Sequence, residues 1–337
     1  MDDRIAPDWP ALNLIGESPQ FRQVLGHLQQ WAAVDATVLL CGETGTGKEL
    51  AARAVHYCSA RSAGPFVPLN CGAVPDSLFE AELFGHARGA YTDAKGDSRG
   101  LAGLAEGGTL FLDEIDSLSA RAQAAILRFV QDRSYRPVGA TRFHQADVRL
   151  IAATNADLAA LASIGRFRAD LLFRLDLLTV QLPPLRERPG DALLLAETFV
   201  RRFCAQYRTP GRTLSAASRD ALRSPHQPWP GNVRELEHRV HRCFLLGSGP
   251  TVELGLAAPS PDLEGALDEA ALPPDFRTTP FAEAKARAIA DFERRYVHAL
   301  LLHTHGNVSE AARLAGKERS RFGRLVRKYE KRGPSAQ

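Results

Sequence analysis

Residues 38–49, VLLCGETGTGKE, carry a short apolar strand through a loop with Gly42, Gly45 and Gly47 to Lys48 at the start of a helix. The glycines let the backbone turn so that several N–H groups face phosphate oxygens. The following helix adds its positive N-terminal end, and the lysine reaches the outer phosphates. Glu49 stands where such a loop usually ends in Ser or Thr, the hydroxyl that touches magnesium.

Apolar runs at 37–40, 65–69, 108–112, 148–152 and 177–182 alternate with helical patterns. That alternation predicts a parallel sheet covered by helices. Ligands of an open α/β sheet bind beyond the carboxyl ends of its strands, so motifs after successive strands converge on one crevice. The third run, GGTLFLDE at 107–114, ends in two carboxylates. Asp113 suits a place near Mg²⁺, and Glu114 suits orienting or deprotonating an attacking water.

A chain of 337 residues, 45% hydrophobic and 24% charged, suggests about two domains with a sizeable core. It has no apolar run of about 18 residues and no basic or apolar signal at Met1-Asp2-Asp3-Arg4, so a cytoplasmic protein without a membrane partner is expected. The five cysteines, Cys41, Cys58, Cys71, Cys204 and Cys243, form no C-x-x-C pair and read as small buried apolar residues. From residue 281 onward, 13 Lys and Arg face 6 Asp and Glu, a net +7; residues 1–280 hold 29 against 33, a net −4. Between these regions, 247–280 is rich in proline and glycine and reads as a linker.

In the basic tail, Phe281, Ala284, Ala288, Phe292, Tyr296, Ala299 and Leu300 recur at helical spacing. Asn307, with Glu310 three residues later, caps a short helix over 308–315 that stops at Gly316. Ala312 and Gly316 have the spacing that a helix-turn-helix needs. The second helix, over 319–329, buries Phe322 and Leu325 and offers Arg319, Ser320, Arg321, Arg324, Arg327 and Lys328 to double-stranded DNA. Gly323 lowers its helix stability by about 1 kcal/mol relative to Ala.

Taken together, these motifs resemble the AAA+ activators of bacterial sigma-54 RNA polymerase, the NtrC-like enhancer-binding proteins, from Leu14 to Tyr329. In that family the loop reads G-E-x-G-T-G-K-E, so Glu49 is the family's own residue. The resemblance implies an α/β AAA+ P-loop NTPase with a helical lid and a C-terminal all-α Fis-type helix-turn-helix domain. The implied domains are an extension 1–13, an ATPase subdomain 14–180, a lid 181–246, the linker 247–280 and a DNA-binding domain 281–337. ATP and Mg²⁺ are the implied cofactors. Gly42, Glu43, Thr44, Gly45, Thr46, Gly47, Lys48 and Glu49 would cradle the nucleotide, with Asp113 on the metal.

Further roles follow from matching positions. Asn70 matches an asparagine that holds Glu114; a buried Asn capping its strand is the alternative. Thr154 and Asn155 match the γ-phosphate sensor, and Arg234, in WPGNVREL, matches the second sensor. Arg168 and Arg174 match the pair that supplies an arginine finger in trans, which requires a homo-oligomeric ring, expected to be a hexamer; either could instead be a structural ion pair. Gly89, Ala90, Tyr91, Thr92, Asp93 and Ala94 correspond to the sigma-54 contact G-A-F-T-G-A, with Tyr for Phe and Asp for the second Gly. The family start at Leu14 leads us to expect no preceding receiver domain, and control by abundance, a trans-acting regulatory protein or a paralogous co-activator. The resemblance implies an ATP-hydrolysing activator that remodels the polymerase closed complex from an upstream site. A DNA-binding regulator that uses ATP mainly for oligomerisation, independently of sigma-54, is the alternative.

Overall fold

Residues alternate along the strands between two apolar layers, as the two-residue period of a strand requires. Leu39, Leu110, Leu112, Leu150 and Ala152 enter one buried cluster. Val38, Leu40, Phe111, Ile151 and Ala153 enter another. In the computed structural model the described residues are 7–90, 96–224, 227–256 and part of 283–330, chiefly 307–316 and 319–330.

Two units divide the chain, Met1–Pro259 and Ser260–Gln337. The first begins with α1 (Pro19–Ala32), β1 (Val38–Cys41), α2 (Lys48–Tyr57), β2 (Phe66–Asn70), α3 (Asp76–Phe84), α4 (Gly100–Leu104) and β3 (Thr109–Asp113). It continues with α5 (Ala120–Asp132), the antiparallel pair β4 (Ser134–Tyr135) and β5 (His144–Gln145), β6 (Arg149–Thr154), α6 (Leu158–Ser163), α7 (Ala169–Leu175) and β7 (Leu178–Gln181). Five of these strands make one parallel sheet in the order β2-β3-β6-β1-β7. The five expected runs are these strands, displaced by one or two residues. β1 lies between β6 and β7, so the loop that follows it opens beside the end strand, flanked by a strand on each side.

Three helices, α8 (Asp191–Tyr207), α9 (Ala216–Arg223) and α10 (Asn232–Leu246), form a lid. The pair β8 (Thr213–Leu214) and β9 (Thr251–Val252) joins them around a third core that includes Phe199, Phe203, Trp229, Leu236 and Phe244. An ion pair fastens the lid to the start of the chain. Arg188 Nε donates to Asp191 Oδ2 at 2.8 Å, with both side chains almost fully buried. Asp191 also accepts from the backbone of Glu17 at 2.7 Å and of Ser18 at 3.0 Å, and from Ser18 Oγ at 2.9 Å. Arg188 donates to the Ile15 carbonyl at 2.8 Å and stacks 3.7 Å above the Phe21 ring. Ser18 in turn caps α1, and Pro19 occupies its first position, where its missing N–H does no harm.

In the second unit, α11 (Val308–Leu314) is capped by Asn307, whose side chain accepts from Ser309 and Glu310. Gly316 takes a positive φ of 61° before α12 (Arg319–Glu330). Ala311, Ala312, Phe322, Val326 and Val297 form a small core. Val326 fills a place expected of Leu325, which is only partly buried. Phe281, Ala284, Ala288, Phe292 and Ala299 of the expected long helix lie outside the described residues; Tyr296 and Leu300 are helical.

Only Cys71 is buried; Cys41, Cys58, Cys204 and Cys243 are half-buried, which corrects the expectation for all five. No helix among the described residues is long and apolar enough to cross a membrane.

Removing one partner of a buried ion pair leaves an uncompensated charge. Asp191→Ala is therefore expected to destabilise the protein by about 3 to 5 kcal/mol, with Asp191→Asn milder because it keeps an acceptor for Ser18. Urea unfolding of the two variants checks the order.

Candidate nucleotide site

Gly47 caps α2 in the left-handed conformation, φ 102°, with no side chain bonded to the first turn. The helix therefore opens on backbone N–H groups available to an anion. A Cβ at Gly47 would meet no atom within 4 Å, so the cradle is open there. Lys48 is buried, and its Nζ donates to the carbonyls of Gly42 at 2.7 Å and Glu43 at 3.1 Å. Thr46 Oγ1 donates to the same Glu43 carbonyl at 2.8 Å. Burial pulls the Lys48 ammonium below its usual range, opposed by Asp113, Asp116 and Glu114.

Asp113 ends β3 and accepts from the Glu114 backbone at 2.9 Å. Burial raises its carboxyl above the ordinary value, against that hydrogen bond and the charge of Lys48. Glu114 sits at φ 53° and ψ 46°, a strained turn that leads into the 3₁₀ segment Ile115–Ser117. A cleft of about 210 Å³ brings together Gly47, Lys48, Asp113, Glu114, Asn155 and Arg234 of α10. The donor set suits a phosphate chain and a hard cation: backbone N–H groups and two cations for oxygens, two carboxylates for a metal and water. Glu49 also lines the cleft, while its carboxylate pairs with Arg53 at 2.8 Å.

The two residues after Ala153 divide the work. Asn155 is exposed, and its Nδ2 donates to Thr44 Oγ1 of the loop at 3.0 Å. Thr154 is fully buried and donates to Asp116 Oδ1 at 2.6 Å, so it positions the strand end rather than facing the cleft. Asn70 is exposed, and its Oδ1 accepts from Gly72 at 2.9 Å and Ala73 at 3.1 Å. It caps the strand end while exposed, whereas the capping alternative had it buried. No hydrogen bond to Glu114 is recorded among the described residues. Both side chains nevertheless border Gly72, where a Cβ would meet Glu114 Oε2 at 2.8 Å and Asn70 Oδ1 at 3.4 Å.

Three contacts that local sequence patterns did not reveal bind the loop to the lid. Arg186 donates to both oxygens of Glu43, at 2.6 and 2.9 Å. Asn232, fully buried, donates to Glu43 Oε2 at 3.1 Å and the Thr44 carbonyl at 3.0 Å, and accepts from Leu185 at 2.8 Å. Val233 donates its backbone N–H to Gly45 at 3.1 Å. The Arg186 and Asn232 bonds hold the Glu43 carboxyl down at about 2. Its folded value lies below its unfolded one, so its stabilising contribution is complete above about pH 4.5 and is lost as pH falls toward 2.

Arg168 pairs with Asp170 at 2.7 Å. Arg174, on α7, is exposed and makes no hydrogen bond or ion pair among the described residues. Burial pushes the thiol of Cys41, beside the loop, up to about 11 and that of Cys71 up to about 12, so both stay neutral.

An insertion follows α3. Its neck is closed by His86–Ser98 backbone pairing at 2.8 and 3.1 Å, and by bonds from Val138 to Gly85 and from Ala87 to Val138, each 2.9 Å. Gly89, at φ 81°, and Ala90 follow the neck. Tyr91, Thr92, Asp93 and Ala94 lie outside the described residues. Arg319, Ser320, Arg324, Arg327 and Lys328 are exposed on α12, which also carries Arg321.

Residues 14–181 match a domain family described as Sigma-54 interaction domain, and 186–259 match an AAA+ ATPase lid domain. The transcriptional regulatory protein GlrR of Escherichia coli (strain K12) is 39% identical over 336 residues, spanning 98% of this chain and 72% of that protein. The chain belongs to the sigma-54-interacting AAA+ regulators. ZraR of Salmonella typhimurium is 42% identical over 306 residues, 90% of this chain and 66% of that protein. The crystal structure of NtrX from Brucella abortus in complex with ATP superposes with a TM-score of 0.69 at 30% identity, covering 94% of this chain and 68% of NtrX. The parallel sheet, phosphate loop and helical lid are those of the AAA+ P-loop NTPase fold of this family.

Gly45 takes φ 81°, and a Cβ there would meet the Gly231 carbonyl at 2.3 Å. At Gly47 the conformation is strained for other residues but the space is free. Gly45→Ala is thus expected to destabilise the protein more than Gly47→Ala, whose backbone strain alone is worth about 1 to 3 kcal/mol. Equal losses in urea unfolding would contradict the tight fit of loop to lid.

Proposed function

We propose that this protein hydrolyses ATP within a ring of identical subunits and uses the cycle to press the 89–94 loop against the sigma-54 RNA polymerase closed complex from an upstream DNA site. The observation that carries the reading is the convergence of Lys48, Asp113, Glu114 and Arg234 on one cleft. Lys48 exchanges its two loop carbonyls for phosphate oxygens. Glu114 takes a proton from the attacking water; the new oxygen–phosphorus bond forms as the bond to the β–γ bridging oxygen breaks, and ADP leaves with that electron pair. Mg²⁺, held near Asp113, would neutralise charge on the phosphate oxygens.

Assembly into a ring, which we take as six subunits, is supported by an exposed cation, without an ion-pair partner among the described residues, beside exposed apolar side chains. Phe173 is 83% and Leu177 65% exposed on either side of Arg174. Arg174 is therefore our choice for the finger that enters a neighbour's cleft, with Arg168 committed to Asp170. Such a residue contributes about 10³- to 10⁵-fold in rate. The closed neck at His86 and Ser98 suits a loop that moves as a unit, and the departures at Tyr91 and Asp93 keep an aromatic face and a residue that tolerates a left-handed turn. Exposed basic residues on α12, after the capped α11 and Gly316, support major-groove binding by a helix-turn-helix.

Glu114→Gln is expected to keep ATP binding while losing most turnover. Arg174→Ala should lose turnover as well. Mixing the two variants should restore part of it, because intact Arg174 residues then meet intact Glu114 sites. Steady-state phosphate release against mixing ratio checks this; no recovery at any ratio, with a rate per subunit independent of concentration, contradicts the ring.

A further inference from the structure

We propose that Glu43 is a positioning residue that relays occupancy of the phosphate loop to the lid. Its backbone and side chain face different partners. The carbonyl holds Lys48 Nζ at 3.1 Å and Thr46 Oγ1 at 2.8 Å. The carboxylate holds both terminal guanidinium nitrogens of Arg186 and the amide of Asn232. One residue thus joins the lysine that meets the phosphates to two side chains on the lid side.

The relay follows from what Lys48 must give up. To reach a phosphate, its ammonium leaves the Gly42 and Glu43 carbonyls. The Glu43 peptide is then free to turn, and its side chain is carried with it. Arg186 belongs to the 3₁₀ turn Leu185–Glu187 at the entrance to the lid. Asn232 begins α10, two residues before Arg234, and is itself held at φ 51°. A displacement at Glu43 therefore reaches both ends of the lid's connection to the cleft. Differential contacts of this kind are what a ligand needs to shift a conformational equilibrium.

Its exposure argues for a relay over a strut. The side chains of Arg186 and Glu43 are each 41% exposed. An ion pair so open to water contributes little to stability. Bidentate geometry instead fixes direction, because the planar fork accepts a carboxylate in one orientation. Loss of the pair is thus expected to leave the fold intact and disturb the coupling.

Trp229 reports on the lid at close range. It is buried three residues before Asn232, with Arg239 5.5 Å above its ring. In the full-length chain carrying Trp9→Phe and Trp31→Phe, binding of ADP or a non-hydrolysable ATP analogue is expected to change Trp229 emission. Glu43→Gln in that background should bind both nucleotides within about threefold of the parent by calorimetry, lose most of the emission change and lower kcat about tenfold. Arg186→Ala should do the same, and the double variant should be no worse than either, because residues acting as one unit are not additive. Retention of the full emission change in Glu43→Gln, loss of nucleotide binding in it, or multiplication of the two kcat effects to about a hundredfold would overturn the relay. This inference rests on the nucleotide reading of the cleft: a parent that binds nucleotide without hydrolysing it refutes the ATPase proposal alone, and the emission change still decides the relay.

Discussion

The phosphate loop is held from two sides, and the rest of the larger unit is arranged around that constraint. On the sheet side, the Gly42 N–H reaches the Thr154 carbonyl at 3.2 Å, and Leu182 reaches Cys41 at 2.8 Å, so the loop starts in fixed register between β6 and β7. On the lid side, Asn232 and Val233 take the carbonyls of Thr44 and Gly45. The glycine spacing is what makes both possible. Gly45 leaves room for the Gly231 carbonyl, and Gly47 releases the chain into α2 with its first N–H groups open.

Electrostatics around the loop are divided between buried and exposed pairs, with different consequences. Arg188 and Asp191 are buried and hydrogen-bonded to each other and to the segment around Ile15 and Ser18, so they fix where the lid begins relative to it. Arg186 and Glu43 are half open to water and cost little to rearrange. The lid is therefore rooted at one point and adjustable at another. Arg234 lies on the adjustable side, on the helix that Asn232 starts.

Much of this was legible in the sequence wherever the signal was local. The five strands announced themselves as apolar runs, and GETGTGKE and LFLDE placed Lys48, Asp113 and Glu114 in one cleft because both motifs end strands on the same sheet edge. The cap at Asn307 and the turn at Gly316 were equally readable. Contacts across long separations were not. Glu43 meets Arg186 and Asn232 at separations of 143 and 189 residues, and no period or short motif encodes such a pairing. The different surroundings of Arg168 and Arg174 were also hidden, because it is the fold that turns Asp170, two residues away, back onto Arg168. Thr154 and Asn155 are adjacent in sequence, yet alternate directions along the strand end send one into the core and the other to Thr44.

On the proposed function, nucleotide chemistry in this cleft drives a sigma-54-dependent step through the 89–94 loop. Its most direct test is transcription in vitro from a supercoiled sigma-54 promoter template with purified protein and sigma-54 holoenzyme, with ATP compared against a non-hydrolysable analogue. Open complexes and transcript are expected with ATP, none with the analogue, and none with Thr92→Ala even though that variant hydrolyses ATP at the parental rate. Steady ATP hydrolysis by the parent protein with no open complex on any sigma-54 promoter would contradict it.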